Sequence, residues 1–218
     1  MKAATYSRNT FLFAAVLTML LMGKGVAVPV VWDTGTGHND HYYEAVLVLG
    51  GLTWHQANTQ ATGAGGYLAT IATGSEDIFV YNLISNPAFW MVDPANNSQG
   101  PYLGGKQLFN QSAPNVGWHW VTVEPWVYTN WETGEPNDAP GVGTEDNQEN
   151  YLQYFGNGNL GGNPIPQRSW NDIPGNWNGV KGYVVEWDSN PVPEPSTVTL
   201  FAFGALGLFG YGWRCRKR

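Results

Sequence analysis

The chain has 218 residues, with 17 Asp and Glu against 10 Lys and Arg, which gives a net charge of −7. This length allows one domain of ordinary size together with terminal processing segments. A chain this acidic repels nucleic acid and anionic lipid headgroups, so neither is expected as a partner. Its surplus of carboxylates suits the binding of a cation instead.

The first 27 residues have the pattern of a secretory signal peptide. Lys2 and Arg8 precede an apolar run at 11–22, and Gly25-Val26-Ala27 supplies small residues suited to cleavage after Ala27. The apolar run is shorter than the about 20 residues that a membrane-spanning helix needs. We therefore predict export, with a single mature domain at residues 28–190.

Within the mature domain, two helical segments followed by short strands and long loops predict an α+β fold. A strand is predicted at 41–48, and Thr53 with Gln56 forms a capping box that begins a first helix. Ser75 is predicted to cap a second helix, with Ile78 and Ile84 among the residues of its apolar side. Short strands are predicted at 67–71, 103–105, 117–121, 151–155 and 182–187, separated by long loops.

Two motifs pair an acid with an amide in loop-like sequence. The first is Glu135-Pro136-Asn137, and the second is Trp170-Asn171-Asp172. Each offers a carboxylate and an amide oxygen a residue or two apart, and hard cations such as calcium take six to eight oxygen ligands from flexible loops. The first motif alone also suits an ordinary turn, so the prediction of a calcium site depends on both motifs together.

The two motifs resemble the calcium and sugar site of C-type lectin-like domains of the mannose-preferring type. Other landmarks follow in the order of that family, and the resemblance covers about 40 to 188. These landmarks are Trp54, Gly65-Gly66-Tyr67-Leu68-Ala69-Thr70-Ile71, Tyr102-Leu103-Gly104-Gly105, Trp118-His119-Trp120, Asn130-Trp131 and Tyr183-Val184-Val185-Glu186. The resemblance implies two helices with small antiparallel sheets and a long loop region.

The resemblance also assigns a ligand set. Calcium would be held by Glu135, Asn137, Glu149, Asn171 and Asp172, with a cis peptide before Pro136. Two neighbouring sugar hydroxyls would complete the coordination, each donating to a carboxylate and accepting from an Asn amide. Glu145 remains an alternative to Glu149, because the segments around both resemble the same part of the family pattern.

The cysteine positions of the family are occupied by other residues in this chain, namely Ala61, Tyr151, Gly175 and Val185. The one cysteine, Cys215, lies near the C-terminus, so the mature domain has no disulfide. A domain of about 165 residues buries enough surface to fold without one, although exported domains usually contain disulfides.

Residues 191–218 form a second processing segment. Pro193-Glu194-Pro195 leads into an apolar stretch at 197–213, and basic residues follow at 214 and 216–218. An apolar helix with a basic end stops in a membrane with that end in the cytoplasm. The order resembles the PEP-CTERM sorting signal of bacterial exported proteins, which implies recognition by an exosortase, a membrane protease that removes the helix. A plain C-terminal anchor is the alternative.

Removal of both ends makes the mature chain more acidic. Only Lys106, Arg168 and Lys181 remain of the basic residues, whereas all 17 acidic residues lie between Asp33 and Glu194, and 17 − 3 leaves a charge near −14. This balance suits the binding of a cation such as calcium and gives no support for a nucleic-acid partner.

Aromatic residues supply further candidates for ligand contact. The chain has 11 tryptophans. Trp131, Trp177 and Tyr128 lie in predicted loops and are candidates to touch a ligand. The remaining ones that fall in helix or strand patterns are predicted to be core, namely Trp54, Trp118, Trp120, Trp170 and Trp187.

These observations predict an exported bacterial protein that is not an enzyme and that binds a mannose- or glucose-type glycan or exopolysaccharide through calcium. Its location would be the cell envelope, outer surface or extracellular matrix, with transient anchoring in the inner membrane by the C-terminal helix. The competing prediction is a structural or protein-binding module in which calcium only orders the long loop. A hydrolase that uses Glu135 and Asp172 is disfavoured, because their Asn neighbours suit metal coordination better.

Overall fold

The computed structural model describes residues 28–109, 111, 113–139 and 149–191. Within them lie two α-helices, α1 (Trp54–Gly63) and α2 (Gly74–Ile84), and a short 3-10 helix at Pro87–Phe89. The strands are β1 (Val30–Val31), β2 (Tyr42–Leu52), β3 (Tyr67–Leu68), β4 (Met91–Val92), β5 (Ser98–Gln107), β6 (Trp118–Trp120), β7 (Tyr151–Gly156), β8 (Asn159–Leu160), β9 (Asn163–Pro164), β10 (Ser169–Ile173) and β11 (Val180–Trp187). The predicted α+β class is confirmed.

The described strands form one sheet of nine strands and one short hairpin of β8 with β9. The main path runs β1-β2-β11-β5-β7-β10, with β3 on β11 and both β4 and β6 on β5. The first and last long strands, β2 and β11, pair antiparallel over seven register positions, so the two ends of the domain lie side by side. The expected small antiparallel sheets are therefore joined into one sheet, through a parallel contact between Tyr183 and Tyr102.

Both helices bury one face against this sheet. The buried residues of α1 are Trp54, Ala57 and Ala61, which pack with residues of β11 in one apolar cluster. Helix α2 contributes Val80 and Ile84 to a second cluster with buried residues of β5, β7 and β10. The five tryptophans predicted to be core are all at most 7% exposed, so that prediction is confirmed.

The start of α1 agrees with the sequence pattern, whereas the start of α2 corrects it. Thr53 Oγ1 accepts from the Gln56 N–H, and Gln56 Oε1 accepts from the Thr53 N–H, as a capping box requires. Helix α2 is capped by Thr73 rather than Ser75, since the Thr73 hydroxyl accepts from Glu76 N–H at 3.1 Å. The buried residues of this helix are Glu76, Asp77, Val80 and Ile84, so Ile78 lies off the buried face and is half exposed, contrary to the prediction.

Asp77 on α2 is a buried acceptor that ties the later loops to the core. It is fully buried and accepts from Tyr154 at 2.7 Å, Tyr128 at 3.0 Å, Asn130 at 2.9 Å and Arg168 at 3.1 Å. Burial raises the pKa of this carboxyl, and the hydrogen bonds from Tyr154, Tyr128 and Trp170 and the charge of Arg168 oppose that rise. One side chain thus fixes the segment at 128–130 and the start of β10 relative to the helix.

Tyr151 packs on Gly175, and both stand at positions where the family resemblance implies cysteines. The Tyr151 ring lies 4.5 Å from the Trp54 ring and 4.9 Å from His55, centroid to centroid. A Cβ at Gly175 would lie only 2.3 Å from Cε2 of Tyr151, so the ring rests directly on the glycine backbone. Ala61 and Val185, which stand at the other two positions, are both buried in the same apolar cluster.

Within the described residues, no helix is long and apolar enough to cross a membrane. The predicted signal peptide and the predicted C-terminal membrane helix lie outside those residues.

We predict that Gly175→Ala destabilises the domain, because the new methyl group overlaps the Tyr151 ring and overpacking of this kind costs about 1–3 kcal/mol. Urea unfolding followed by fluorescence measures the change. Gly50→Ala is the matched control, because a Cβ at Gly50 meets nothing within 4 Å. Equal stabilities of the two variants would contradict the proposed packing.

Candidate functional site

The loop that carries Glu135 and Asn137 is fixed to the beginning of β10. Trp131 forms a parallel bridge with Trp170. Glu132 N–H donates to the Trp170 carbonyl, and Trp170 N–H donates to the Asn130 carbonyl, each at 2.9 Å. A turn follows, closed by the Glu135 N–H donating to the Glu132 carbonyl at 2.9 Å. The Glu-Pro-Asn motif therefore lies beside the Trp-Asn-Asp motif.

Aromatic packing also holds the segment that precedes Glu135 in place. Trp126 lies 4.3 Å from Trp120 and 6.1 Å from Trp170, and Trp131 lies 4.8 Å from Trp118, centroid to centroid. Tyr128 meets Trp170 edge-on at 5.5 Å. The segment leading to Glu135 is thus packed against buried rings of β6 and β10.

The Trp-Asn-Asp motif lies on a strand, which corrects the prediction that it lies in a loop. Asn171 pairs in register with Gln153, and Asp172 with Leu152, within the five-position ladder between β10 and β7. The polar residues of the motif suggested a loop, but the ladder satisfies its backbone groups. The strand makes this half of the site rigid.

Asp172 holds the Glu-Pro-Asn loop onto that strand. Its two carboxylate oxygens accept from Asn137 N–H at 3.1 Å and from Asp138 N–H at 2.8 Å. Glu149 continues the pattern, since its Oε2 accepts from Ala139 N–H at 2.8 Å while its own N–H donates to Asp138 Oδ1 at 2.7 Å. Both acidic side chains are at most 5% exposed.

Glu135 brings a third carboxyl to this place. The Glu135–Pro136 peptide is cis, as expected. Glu135 Oε2 is buried and meets no hydrogen-bond donor among the described residues. Its carboxyl lies against that of Asp172, so that a protonated Glu135 donates to the Asp172 carboxylate. A proton or a cation is needed between two carboxyls this close.

Burial raises the pKa of all three carboxyls, and the charge of Asp172 adds to the rise at Glu135 and Glu149. Burial and the charge of Asp172 raise the pKa of Glu135 to about 7. Burial and the same charge raise the pKa of Glu149 to about 8. Burial also raises the pKa of Asp172, against the lowering effect of the backbone N–H groups that it accepts. The three acidic side chains thus lie together in a buried environment, where solvent does little to stabilise their charged forms.

The five predicted ligand residues fit calcium by their chemistry. They offer carboxylate and amide oxygens only, which is the preference of a hard cation, and a divalent ion would neutralise the repelling carboxyls. The carboxylates are not pre-arranged as a metal centre: in the part of the chain described here, no three Asp, Glu, His or Cys side chains are grouped closely enough to hold an ion. The residues fit the ion, and its binding requires their side chains to rearrange.

Four of these residues line one pocket of about 380 Å³, namely Glu135, Asn137, Glu149 and Asn171. Asp172 does not line it; this residue lies beneath and anchors the loop. Glu145, the alternative to Glu149, lies outside the described residues. The structure therefore brings together all five residues of the predicted set, four of them at the pocket and Asp172 beneath it.

The opposite wall of the pocket was not found from the sequence. Asp93, Asn97 and Gln99 line it, and they belong to the turn and second strand of the hairpin β4–β5. The Asp, Pro and Asn residues of this segment indicate a turn, but only the pairing of Met91 with Gln99 shows that the turn faces the site.

The three loop aromatics that were candidates for ligand contact have different environments. Tyr128 and Trp131 pack against the larger apolar cluster. Trp177 lines the pocket together with Phe155 and Ile173. Only Trp177 of the three is therefore placed to meet a ligand in this pocket.

Two helices on a sheet whose first and last long strands pair, with an oxygen-rich loop fixed to strand β10, define a C-type lectin-like fold. The C-terminal segment carries a second family feature: the model of the PEP-CTERM protein-sorting motif matches residues 191–217. Both predicted resemblances are confirmed.

Among curated proteins, a perlucin-like protein of Mytilus galloprovincialis is 31% identical over 90 residues. The match covers 41% of this chain and 51% of the relative, so this chain spans about half the length of the curated relative it matches.

Several solved structures are also similar. The cow C-type carbohydrate-recognition domain of CD23, solved in the presence of a GlcNAc2Man3 oligosaccharide, is 20% identical with a TM-score of 0.49 and covers 75% of this chain and 95% of that one. Human lithostathine is 15% identical with a TM-score of 0.49 and coverages of 86% and 99%. The mouse scavenger receptor C-type lectin domain is 17% identical, with a TM-score of 0.48 and coverages of 74% and 97%. The fold assignment rests on the topology described above.

We predict that, in a chelator, the melting temperature falls as the pH rises from 5 to 8. The folded chain binds protons more tightly than the unfolded chain at Glu135 and Glu149, whose pKa values are about 7 and 8 against the ordinary value of 4.5. Their stabilising effect is complete below the unfolded pKa and is lost as the pH rises through the folded one. Calorimetric melts in EDTA measure this slope.

Glu149→Gln removes one of these carboxyls and should flatten the slope in part. Glu135 and Glu76, whose pKa values are each raised to about 7, maintain the remainder. Asp33→Asn changes an exposed carboxyl outside the pocket and is the matched control. A melting temperature that rises with pH in EDTA would contradict the crowding of these carboxyls.

Proposed function

We propose that residues 28–190 bind one calcium ion through Glu135, Asn137, Glu149, Asn171 and Asp172, and bind a neutral mannose- or glucose-type glycan at the same place. The observation that carries the proposal is the buried Glu135 carboxyl, which lies against Asp172 without a donor for its Oε2. The C-type lectin-like fold and the perlucin-like relative support carbohydrate binding as the general class. This class is a binding protein and not an enzyme.

The side chains of the site have different roles in binding. Calcium, when bound, supplies coordination positions for two neighbouring sugar hydroxyls. Glu135 and Glu149 accept the hydroxyl protons, and the amides of Asn137 and Asn171 donate to the hydroxyl oxygens. Asp172 keeps the loop and the strand together through the N–H groups of Asn137 and Asp138. Recognition through two hydroxyls is weak per site, so several copies on one surface would be needed for strong attachment.

We also propose how the chain reaches its place of action. The PEP-CTERM motif at 191–217 implies export and sorting to the cell envelope. In this proposal residues 1–27 are removed as a signal peptide, and an exosortase-type protease processes residues 191–218 after the C-terminal helix has held the chain in the inner membrane. The glycan ligand would then belong to the cell surface or to an exopolysaccharide matrix.

We predict that wild-type domain 28–190 binds calcium in a calorimetric titration and binds mannose only when calcium is present. Glu135→Gln keeps the shape of the side chain but removes one charge of the ligand set, so calcium affinity should fall at least about tenfold. Asp33→Asn is the control and should bind as the wild type does.

The outcomes of this titration separate the candidate functions. Calcium and mannose binding by the wild type with loss in Glu135→Gln supports the proposal. Calcium binding without any response to mannose or glucose would favour the structural or protein-binding module. If the wild type does not bind calcium, the ligand assignment is wrong.

A second prediction distinguishes Glu149 from Glu145. Glu149 is buried and lines the pocket, so Glu149→Gln should weaken calcium binding at least about tenfold, whereas Glu145→Gln should leave it unchanged. The same titration measures both variants, and the two substitutions are chemically identical, so each controls for the other. The reverse order of effects would assign the ligand role to Glu145.

A further inference from the structure

The pocket at the proposed calcium site extends well beyond the calcium ligands. On one side it is lined by Glu135, Asn137, Glu149 and Asn171, and on the other by the β4–β5 hairpin at residues 93–99. We call the half next to the hairpin the hairpin pocket. The whole cavity of about 380 Å³ lies in the range of about 300–1,000 Å³ typical of small-ligand sites. The residues of the proposed calcium site line only one part of this cavity.

The floor of the hairpin pocket is apolar and is held in place. Phe155, Ile173 and Trp177 line it. A Cβ at Gly179 would lie 2.6 Å from Cζ2 of Trp177 and 2.9 Å from Sδ of Met91, so the indole ring packs directly on this glycine. The Trp177 carbonyl also accepts from the Tyr102 hydroxyl at 2.8 Å. An indole fixed in this way offers a preformed flat surface to the C–H face of a sugar ring.

A row of polar side chains runs from the calcium site to the hairpin. Gln153 pairs in register with Asn171 in the sheet. The Gln153 side chain donates to that of Gln99, which in turn donates to the carboxylate of Asp93. Gln153 is fully buried, and its Oε1 has no hydrogen-bond partner among the described residues. Asp93 Oδ1 in turn accepts from Asn97 N–H at 2.9 Å, which shapes the turn. Of this row, Asp93 and Gln99 line the pocket and Gln153 does not, so the row places two polar side chains at the wall, where they can hydrogen-bond to a ligand.

The charge of the lining selects among polar ligands. The carboxylates Asp93, Glu135 and Glu149 line the cavity, and no Lys or Arg does. Even with the last two neutralised by calcium, Asp93 repels an anionic group at the hairpin end. An uncharged ligand with apolar faces and many hydroxyls matches this combination, as neutral sugars do.

We propose that the hairpin pocket is a second sugar subsite, so that the ligand of this domain is a neutral oligosaccharide of at least two linked sugars rather than a monosaccharide. One sugar occupies the calcium site, and the next lies on Trp177 with its hydroxyls toward Asp93, Asn97 and Gln99. The inference rests on the proposed function, because the first sugar is placed by calcium.

Calorimetric titration tests this inference with mannose, glucose, and the α- and β-linked di- and trisaccharides of both, all in calcium. At least one oligosaccharide should bind about five- to tenfold more tightly than its monosaccharide, in keeping with the usual contribution of aromatic contact. Ala95 lies at the exposed tip of the hairpin and lines the pocket. Ala95→Leu should remove this gain by filling the pocket, without changing the calcium ligands.

Ala88→Leu makes the same change at an exposed residue of the 3-10 helix, outside the pocket, and should retain the gain. Trp177→Ala should lose it, and a calorimetric melt establishes that this variant is folded. In ¹⁵N spectra, the indole N–H signal assigned to Trp177 by comparison with Trp177→Phe should shift with the oligosaccharide and much less with the monosaccharide.

The outcomes separate this inference from the proposed function. If the wild type binds a monosaccharide with calcium but no oligosaccharide binds more tightly, the second subsite is wrong and the calcium site stands. Retention of the gain in both Ala95→Leu and Trp177→Ala would also overturn it. If no sugar binds in calcium, the proposed function fails, and the subsite falls with it.

Discussion

The arrangement of the site depends on the hydrogen bonds that the carboxylate of Asp172 accepts. It lies on strand β10, paired with β7, and it accepts the backbone N–H groups of Asn137 and Asp138 from a loop that has no strand partner there. One buried side chain thus couples a rigid half of the site to a loop-borne half. The same coupling brings Glu135 against Asp172, and burial together with the charge of Asp172 raises the pKa of Glu135 to about 7.

Much of the fold could be predicted, because local sequence patterns determine where many of its elements begin. The capping box at Thr53 and Gln56 and the acid-amide motifs are readable from neighbouring residues alone. The cap of α2 was assigned to Ser75, because Thr73 and Ser75 are equally suited to capping and the choice between them depends on which helical face meets the sheet. The strand character of Asn171 and Asp172 likewise depends on pairing with β7, which is distant in sequence.

The hairpin wall shows the other limit of prediction. Asp93, Asn97 and Gln99 carry ordinary turn and strand signals, and nothing in their spacing relates them to Glu135. Their proximity follows from register, since β4 pairs with β5, β5 with β7, and β7 with β10. Trp177, Trp131 and Tyr128 were equivalent by sequence, and only their packing separates a pocket-lining ring from two supporting rings.

Because Tyr151 packs on Gly175 where the family resemblance implies cysteines, this domain folds without forming a disulfide there. Cysteines at these positions would have to be oxidised to disulfides. Non-native disulfides would have to be exchanged before the native sheet could form. Aromatic contact between β7 and the segment after β10 requires no oxidant and no isomerase. The domain is therefore insensitive to the redox potential of its surroundings, and a reducing agent that would unfold a disulfide-bonded domain leaves its core intact.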